Sequence, residues 1–442
     1  MRKISEKYRQ WLLKELPLLE SAGVLTPETA GGIRAYYAAN TSSGIHWAVI
    51  AFAVLGSLLI GSGIILLLAH NWDAFSRPAR AALSFCPVML GTALSVAALA
   101  RNGGVAWREA AGLFHALTVG ASIALVGQTY HLSSDMPAFL LTWSLLVLPL
   151  MFVLRAVGPC LIYLALACGW SGVAQETYGQ AGAFWLLVLP AAAYVAHLVR
   201  SGRDAPQTAI GLTGLLLSVS VGTALVLERT VPGLWVVAYS ALLSGAGLLG
   251  FWLYGDRSGW SNIPRSFGIL GMIVLAYTFT WADVWHSIGW THLRHDWQHR
   301  EWGVWLDSGV TLAFLAGWLL AAVKAFRRGS AETLALAAFP VVAVFCFANS
   351  SLAERADTVN AVVFNVFLFA LGVMHIALGC RRDSLRQLNL GMATVSLLLV
   401  TRFFDSDFAY WLRGVVFIAL GVVFLTVNLV IARRKKEKGL SA

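Results

Sequence analysis

Charge is what this chain has least of: Asp, Glu, Lys and Arg make up 12% of its 442 residues. A soluble domain carries about 25% charged residues because its surface must face water, so a soluble globular body of this length is excluded. Cysteine is also scarce. Cys86, Cys160, Cys168, Cys346 and Cys380 lie in or beside apolar blocks, which excludes a disulfide or cysteine-metal framework and reads them as small buried apolar residues. No Walker loop, no Gly-x-Ser-x-Gly elbow and no His-Glu-x-x-His pair occurs, so a built-in ATP motor and two kinds of hydrolase site drop out. The first 46 residues are polar and predict a chain without a cleaved leader, whose apolar run would come within the first ~30 residues.

What the chain has instead is apolar sequence, at 58% hydrophobic residues and a mean hydropathy of +0.71. Much of it falls in blocks of membrane-crossing length, about 20 residues. The clearest are Trp47–Ala69, Ala181–Val199, Ala209–Leu227, Gly233–Tyr254, Gly303–Phe326, Ala361–Gly379 and Gly414–Ala432. Weaker ones sit near 79–99, 109–128, 136–154, 158–174, 267–285, 331–348 and 385–402. The fold expected is all-α: a polytopic transmembrane helix bundle of about 14 spans, occupying 47–432 in the lipid bilayer. With the N-terminus on the inner side, 24 of the 32 Lys and Arg fall on that side. This bias is the positive-inside rule and predicts a bacterial-type inner membrane protein with both termini cytoplasmic. The basic tail at 433–442, opening Arg433-Arg434-Lys435-Lys436, stops the last span. Basic residues are scattered between spans instead of gathered on one face, so the net charge of +10 does not indicate nucleic acid.

Residues 1–46 form a cytoplasmic piece of their own. Tyr8, Trp11, Leu12, Leu16 and Leu19 fall at helical spacing, Gly23 suits a left-handed stop, and Thr26-Pro27-Glu28 restarts a helix with a cap, a first-turn proline and a dipole-matched acid. A helical hairpin through about Tyr37 is predicted, followed by a linker. Two short helices bury little alone, so the hairpin is expected to pack on the membrane domain or on a cytoplasmic or membrane protein partner.

The first candidate site lies at the outer ends of the first and third spans. His70, Asn71, Trp72 and Asp73 end one; Gln128, Tyr130 and His131 end the other, with Asp135 just beyond. At one depth these groups make a polar pocket able to bind a headgroup or handle a proton. The competing reading is ordinary interfacial anchoring and helix capping. The segments Trp11…Gly23-Val24-Leu25-Thr26…Ala30, Ala69-His70-Asn71-Trp72, Gln128-Thr129-Tyr130 and Trp143…Leu148-Pro149 resemble the bacterial membrane proteins of domain of unknown function family 2157. The resemblance covers roughly the first 150 residues. It implies an N-terminal cytoplasmic hairpin followed by a multi-span domain, implies no activity, and draws attention to His70, Asn71, Trp72, Gln128 and Tyr130.

The second candidate is the loop Trp290–Trp302, in which His292, His295 and His299 would share one helix face within reach of one metal. The same segment reads more simply as an amphipathic helix lying in the outer interface. His115, Asn360, Asn365, His375 and Asn428 fall in or at the edge of spans, Asp307 falls near an outer edge, and Arg402 sits three residues before Asp405. Bonding between helices is the default role of the His and Asn groups, and Arg402 is close enough to Asp405 to pair on one helix face. No cofactor is called for. Short loops and many spans favour a secondary transporter or flippase-like role. An assembly or sensing subunit is the alternative, and a membrane enzyme acting at the outer face through His70, Asp73 and His131 ranks last.

Overall fold

The computed structural model describes residues 6–39, 72–131, 135–179, 181–227, 233–257, 259–286, 288, 301–326, 329–350 and 356–405, with isolated positions from 414 to 429. Among the described residues every regular element is a helix. Lipid offers backbone N–H and C=O groups no partner, so a spanning segment bonds within itself. The chain divides into two units, Met1–Arg80 and Ala81–Ala442.

In the first unit α1 (Glu6–Ser21) and α2 (Pro27–Ala39) form the expected hairpin. Gly23 takes φ +68°, and the Val24 N–H reaches Leu19 O at 3.0 Å while the Gly23 N–H reaches Glu20 O at 3.1 Å. This bond pair is the Schellman stop, which uses up two carbonyls that the helix end leaves open. Thr26 Oγ1 then accepts the Thr29 N–H at 3.3 Å, starting α2. Leu16 and Ala30 are fully buried, whereas Trp11 stays 59% exposed.

The helix α3 (Arg77–Ala100) leads into the second unit, which continues through α4 (Val105–Tyr130), α5 (Met136–Leu154), α6 (Val157–Tyr178), α7 (Phe184–Ser201), α8 (Pro206–Leu227), α9 (Leu234–Tyr254), α10 (Ile263–Thr278), α11 (Ala282–His286), α12 (Glu301–Phe326), α13 (Ala331–Ser350), α14 (Ala356–Arg381) and α15 (Leu385–Asp405). Ten of these, α3–α9 and α12–α14, are long and apolar enough to cross a membrane. They correspond to ten of the fourteen blocks read from the sequence. The blocks Trp47–Ala69 and Gly414–Ala432 lie outside the described residues, apart from isolated positions in the second. Residues 385–402 are helical but polar near both ends, with Arg386, Gln387 and Asn389 at one and Arg402 at the other.

The remaining block, 267–285, is not one helix. The α10 helix has 16 residues, about 24 Å at 1.5 Å each, and the chain turns at Phe279–Trp281 before α11. The carbonyls freed by this break are taken up by side chains. Phe279 O accepts Trp285 Nε1–H at 2.9 Å; Thr280 O accepts Asn365 Nδ2–H at 3.1 Å and Arg402 Nη2–H at 2.6 Å. Irregular backbone inside a membrane domain is tolerated where protein groups satisfy it in this way.

Helix direction alternates, and named contacts fix it. Glu109, in the second turn of α4, accepts the N–H groups of Val157 and Gly158 at 2.8 and 2.7 Å and the Gln207 amide at 2.6 Å. The starts of α4, α6 and α8 therefore share one end of the bundle. Arg203, between α7 and α8, donates to Leu253 O at 3.1 Å, which adds the end of α9. Lys324 lies 4.5 Å from the Trp252 ring centroid, which adds the end of α12. Arg101, Arg108, Arg155, Arg200, Arg203, Arg257, Lys324, Arg381, Arg382 and Arg386 consequently lie toward the same end. Replacing Glu109 by Ala orphans the two first-turn donors of α6 and removes a carboxylate from its positive dipole end, so about 1–3 kcal/mol of stability should be lost. Thermal unfolding in detergent would read this loss, and an unchanged midpoint would mean the carboxylate does not hold α6.

Buried apolar side chains form two cores within this unit. One gathers α4–α8 around Tyr163, Phe184 and Tyr194. The other gathers α9–α15 around Phe279, Trp285, Phe339 and Phe364, whose rings meet edge-on, tilted or stacked at 4.9–6.4 Å. The candidate site lies at one end of this second core.

Candidate functional site

Three helix starts and one helix finish meet beside this aromatic core. Arg265 is in the first turn of α10, Glu332 in that of α13 and Gln387 in that of α15, while His375 lies in the last two turns of α14. Arg265 and Glu332, with side chains 3% and 2% exposed, form an ion pair through Nη2 and Oε2. Gln387 Nε2–H donates to the other carboxylate oxygen, Oε1, at 2.7 Å. His375 Nδ1 stands 3.9 Å from that oxygen, beyond hydrogen-bond length.

The local sequence explains why Arg265 points inward. Asn262 caps α10, its Oδ1 accepting the Arg265 N–H at 3.2 Å, and Pro264 suits the first turn. Asn262 Nδ2–H donates to Gly250 O at 3.1 Å, binding the turn to α9. The guanidinium then donates from Nη1 to the Asp256 and Arg257 carbonyls at 2.7 and 2.6 Å and lies 4.3 Å from the Phe251 ring centroid. Removing a lone charge from water is expensive, and several bonds are needed to offset it. Arg265 has them.

A cavity of about 640 Å³ opens on this pair. Its inner surface holds Arg265, Glu332, His375 and Gln387; Asp256, Arg382 and Arg386 lie at its exposed side, with Ile269, Leu270 and Leu390 along one wall. Arg265 Nε, both ring nitrogens of His375 and Gln387 Oε1 are buried with no hydrogen-bond partner among the described residues. An unmet buried donor or acceptor costs roughly 1–3 kcal/mol, and Arg265, His375 and Gln387 all line the cavity, where water or a solute can complete these bonds. Among the described residues no group of three or more His, Cys, Asp and Glu is placed to hold a metal.

The opposite end of the same helices carries a second polar knot. Arg402 Nε–H donates to Asn365 Oδ1 at 3.0 Å, its Nη2 also reaches Thr280 Oγ1 at 2.8 Å, and the guanidinium lies 4.7 Å from the Trp281 ring centroid. Close by on the chain, Asn360 Nδ2–H donates to Cys346 O at 2.9 Å and Ser350 Oγ at 2.8 Å, and His286 meets Asp357 at 3.2 Å. Here the polar groups bond one another and hold the α10–α11 break.

No residue of the two candidate sites read from the sequence is among the described residues lining this cavity. His70 and Asn71 are outside the described residues, as is the side chain of Asp73. Trp72 is buried, and its indole N–H has no partner among the described residues. Gln128, Tyr130 and His131 are exposed, and His131 ends α4 in the left-handed conformation. Asp135 caps α5, accepting the Ala138 N–H at 3.4 Å and the Tyr178 hydroxyl at 3.0 Å. His292, His295 and His299 lie outside the described residues. Of the groups flagged inside spans, His115 bonds Thr92 and Ser95 at 3.2 and 3.1 Å, whereas His375 lines the cavity. Arg265, Glu332 and Gln387 were not singled out. The available signal was a charge within three residues of the start of an apolar block, on more than one block.

Ten helices of spanning length and a buried ion pair between helix ends define a helical membrane protein. Residues 17–160 match the family model described as Predicted membrane protein (DUF2157). The match begins within α1 and stops early in α6, so α10, α13, α14, α15 and the cavity between them lie beyond it. No curated protein and no solved structure matches the chain.

Proposed function

We propose that the chain is a carrier of the secondary-transporter or flippase type whose solute site is the cavity beside Arg265, Glu332, His375 and Gln387. The observation that supports this is a cavity of about 640 Å³ in which a buried ion pair is surrounded by polar atoms lacking partners. Packing alone has no use for such atoms, and ionisable groups in a membrane domain mark solute and ion paths. The broken α10–α11 segment adds to the reading, since discontinuous helices recur where carriers bind and move.

In this proposal the end rich in Arg and Lys faces the cytoplasm of a bacterial-type inner membrane. With α10 and α15 counted as crossings, Trp47–Ala69 and Gly414–Ala432 complete about 14 spans across 47–432. Residues 1–46 and the basic tail at 433–442 are cytoplasmic, and the hairpin offers a docking piece. His70, Asn71, Trp72, Asp73, Gln128, Tyr130, His131 and Asp135 are kept as proposed ligand-binding residues at the outer ends of the first and third spans.

The test is access from both sides. Ser266 lines the cavity. Ser266→Cys, in a background with the five native cysteines replaced, is labelled with a membrane-impermeant maleimide in inside-out and right-side-out vesicles. A carrier gives labelling from both faces, faster from the cytoplasmic one, and His70→Ala/Gln128→Ala changes the outer rate alone. Labelling from one face only would replace transport with a fixed sensing or assembly pocket.

A further inference from the structure

We propose that the cavity binds an organic phosphate with a hydroxylated body, either a free polyol phosphate or a lipid headgroup of the same chemistry. This rests on reading the cavity as a solute site and names the ligand class. The charge of Arg265 is already matched by Glu332, whose second oxygen is engaged by Gln387. Among the lining residues the cations outside the buried pair are Arg382 and Arg386, both on the exposed side of the cavity, where Asp256 is the lining carboxylate. Two guanidiniums against one carboxylate select an anion, and their planar forks match phosphate oxygens in pairs.

Deeper in, the unmet atoms are of both kinds. Arg265 Nε–H donates, Gln387 Oε1 accepts, and a neutral His375 offers one nitrogen of each sort. A bare anion leaves Gln387 Oε1 unmet, and a cation leaves Arg265 Nε–H unmet. Hydroxyl groups, which both donate and accept, satisfy all of them. The volume agrees: about 640 Å³ is far more than inorganic phosphate fills and sits within the ~300–1,000 Å³ of organic ligand sites. Along one wall Leu270, 58% exposed, lies among apolar residues that would face acyl chains. That wall is open to a lipid, and the rest equally admits a soluble ester.

Two arms separate the sources. The full chain is placed in phosphatidylcholine nanodiscs and its unfolding temperature followed as glycerol 3-phosphate is added, with sodium sulfate as the matched anion. In the second arm phosphatidylglycerol replaces part of the phosphatidylcholine. A saturable rise is expected with glycerol 3-phosphate if the ligand is free, or with phosphatidylglycerol if it is a headgroup, and none is expected with sulfate. Arg382→Gln and Arg386→Gln, at exposed positions, should keep the unliganded unfolding temperature and weaken apparent affinity about tenfold or more, the value of one lost charge-assisted bond. Gln387→Leu should reduce the preference for glycerol 3-phosphate over inorganic phosphate.

No rise in either arm, or a rise unchanged in both arginine variants, overturns the ligand assignment. Ligand binding in a protein whose Ser266→Cys labels from one face only would instead end the carrier reading and leave this one standing.

Discussion

Arg265→Met should lower stability by about 3–5 kcal/mol, because it leaves Glu332, 2% exposed, as an uncompensated buried charge. Glu332→Gln should lose less. It keeps an acceptor for the Gln387 amide, and the Arg265 guanidinium retains the Asp256 and Arg257 carbonyls and the Phe251 ring. The informative variant is the double. Arg265→Met with Glu332→Gln removes both charges at once and preserves the Gln387 bond, and neutral pairs often replace buried ion pairs with little loss. Its loss should fall below the sum of the singles by about 2 kcal/mol or more, since residues in one network couple by up to ~3 kcal/mol. Unfolding midpoints in detergent for the four proteins give this number directly. Additive losses would show that the pair is not coupled in the folded protein. The double variant also separates fold from function: it should recover most of the stability and still bind solute more weakly, because the Arg265 Nε–H donor is gone.

The same pair shows what the sequence could and could not disclose. Apolar blocks are local, and ten of them reappear as helices of spanning length. The hairpin was legible for the same reason, because a left-handed Gly23 and a Thr26 cap act over a few residues. The cavity is not local. Arg265 and Arg386 read as inner-loop cations because each stands at the edge of an apolar block, yet the fold buries the first at 3% exposure and leaves the second exposed. Asn262 and Pro264 mark a helix start beside Arg265, but its burial comes from the bond that ties this turn to Gly250 on another helix. His375 was visible as a polar residue inside a span and read as glue between helices, although its partner is a cavity. Arg402 reads as a partner of Asp405 by spacing, and its bonds to Thr280, in the α10–α11 turn, and to Asn365 of α14 lie beyond the reach of spacing. The outer-end group could be named from motif alone, but motif places no side chain against another.

The second large effect belongs to a glycine with no chemistry of its own. A Cβ on Gly391 of α15 would stand 2.6 Å from both Gly372 O and Ile376 N, and 2.9 Å from the Cβ of His375. On the same pair of helices a Cβ on Gly379 would meet Leu388 N at 2.5 Å. The backbones of α14 and α15 are thus as close as bare glycine allows, the packing that small residues give membrane helices, where dispersion contacts replace the hydrophobic effect. Backbone cannot rotate away as a side chain can, so Gly391→Ala must separate the helices. It should lose about 1–3 kcal/mol, and Gly391→Leu more. Gly317, on α12, provides the control, since a Cβ there meets nothing within 4 Å. Gly317→Ala should be neutral or gain up to ~1 kcal/mol from helix propensity. The two alanine variants differ only in which neighbour the methyl meets, so equal unfolding midpoints would refute the close approach. If the approach is real, the loss extends to the site. Moving α15 outward draws Gln387 off Glu332 and widens the gap to His375, so Gly391→Ala should weaken solute binding at temperatures where the protein is still folded. Gly317→Ala should leave binding unchanged.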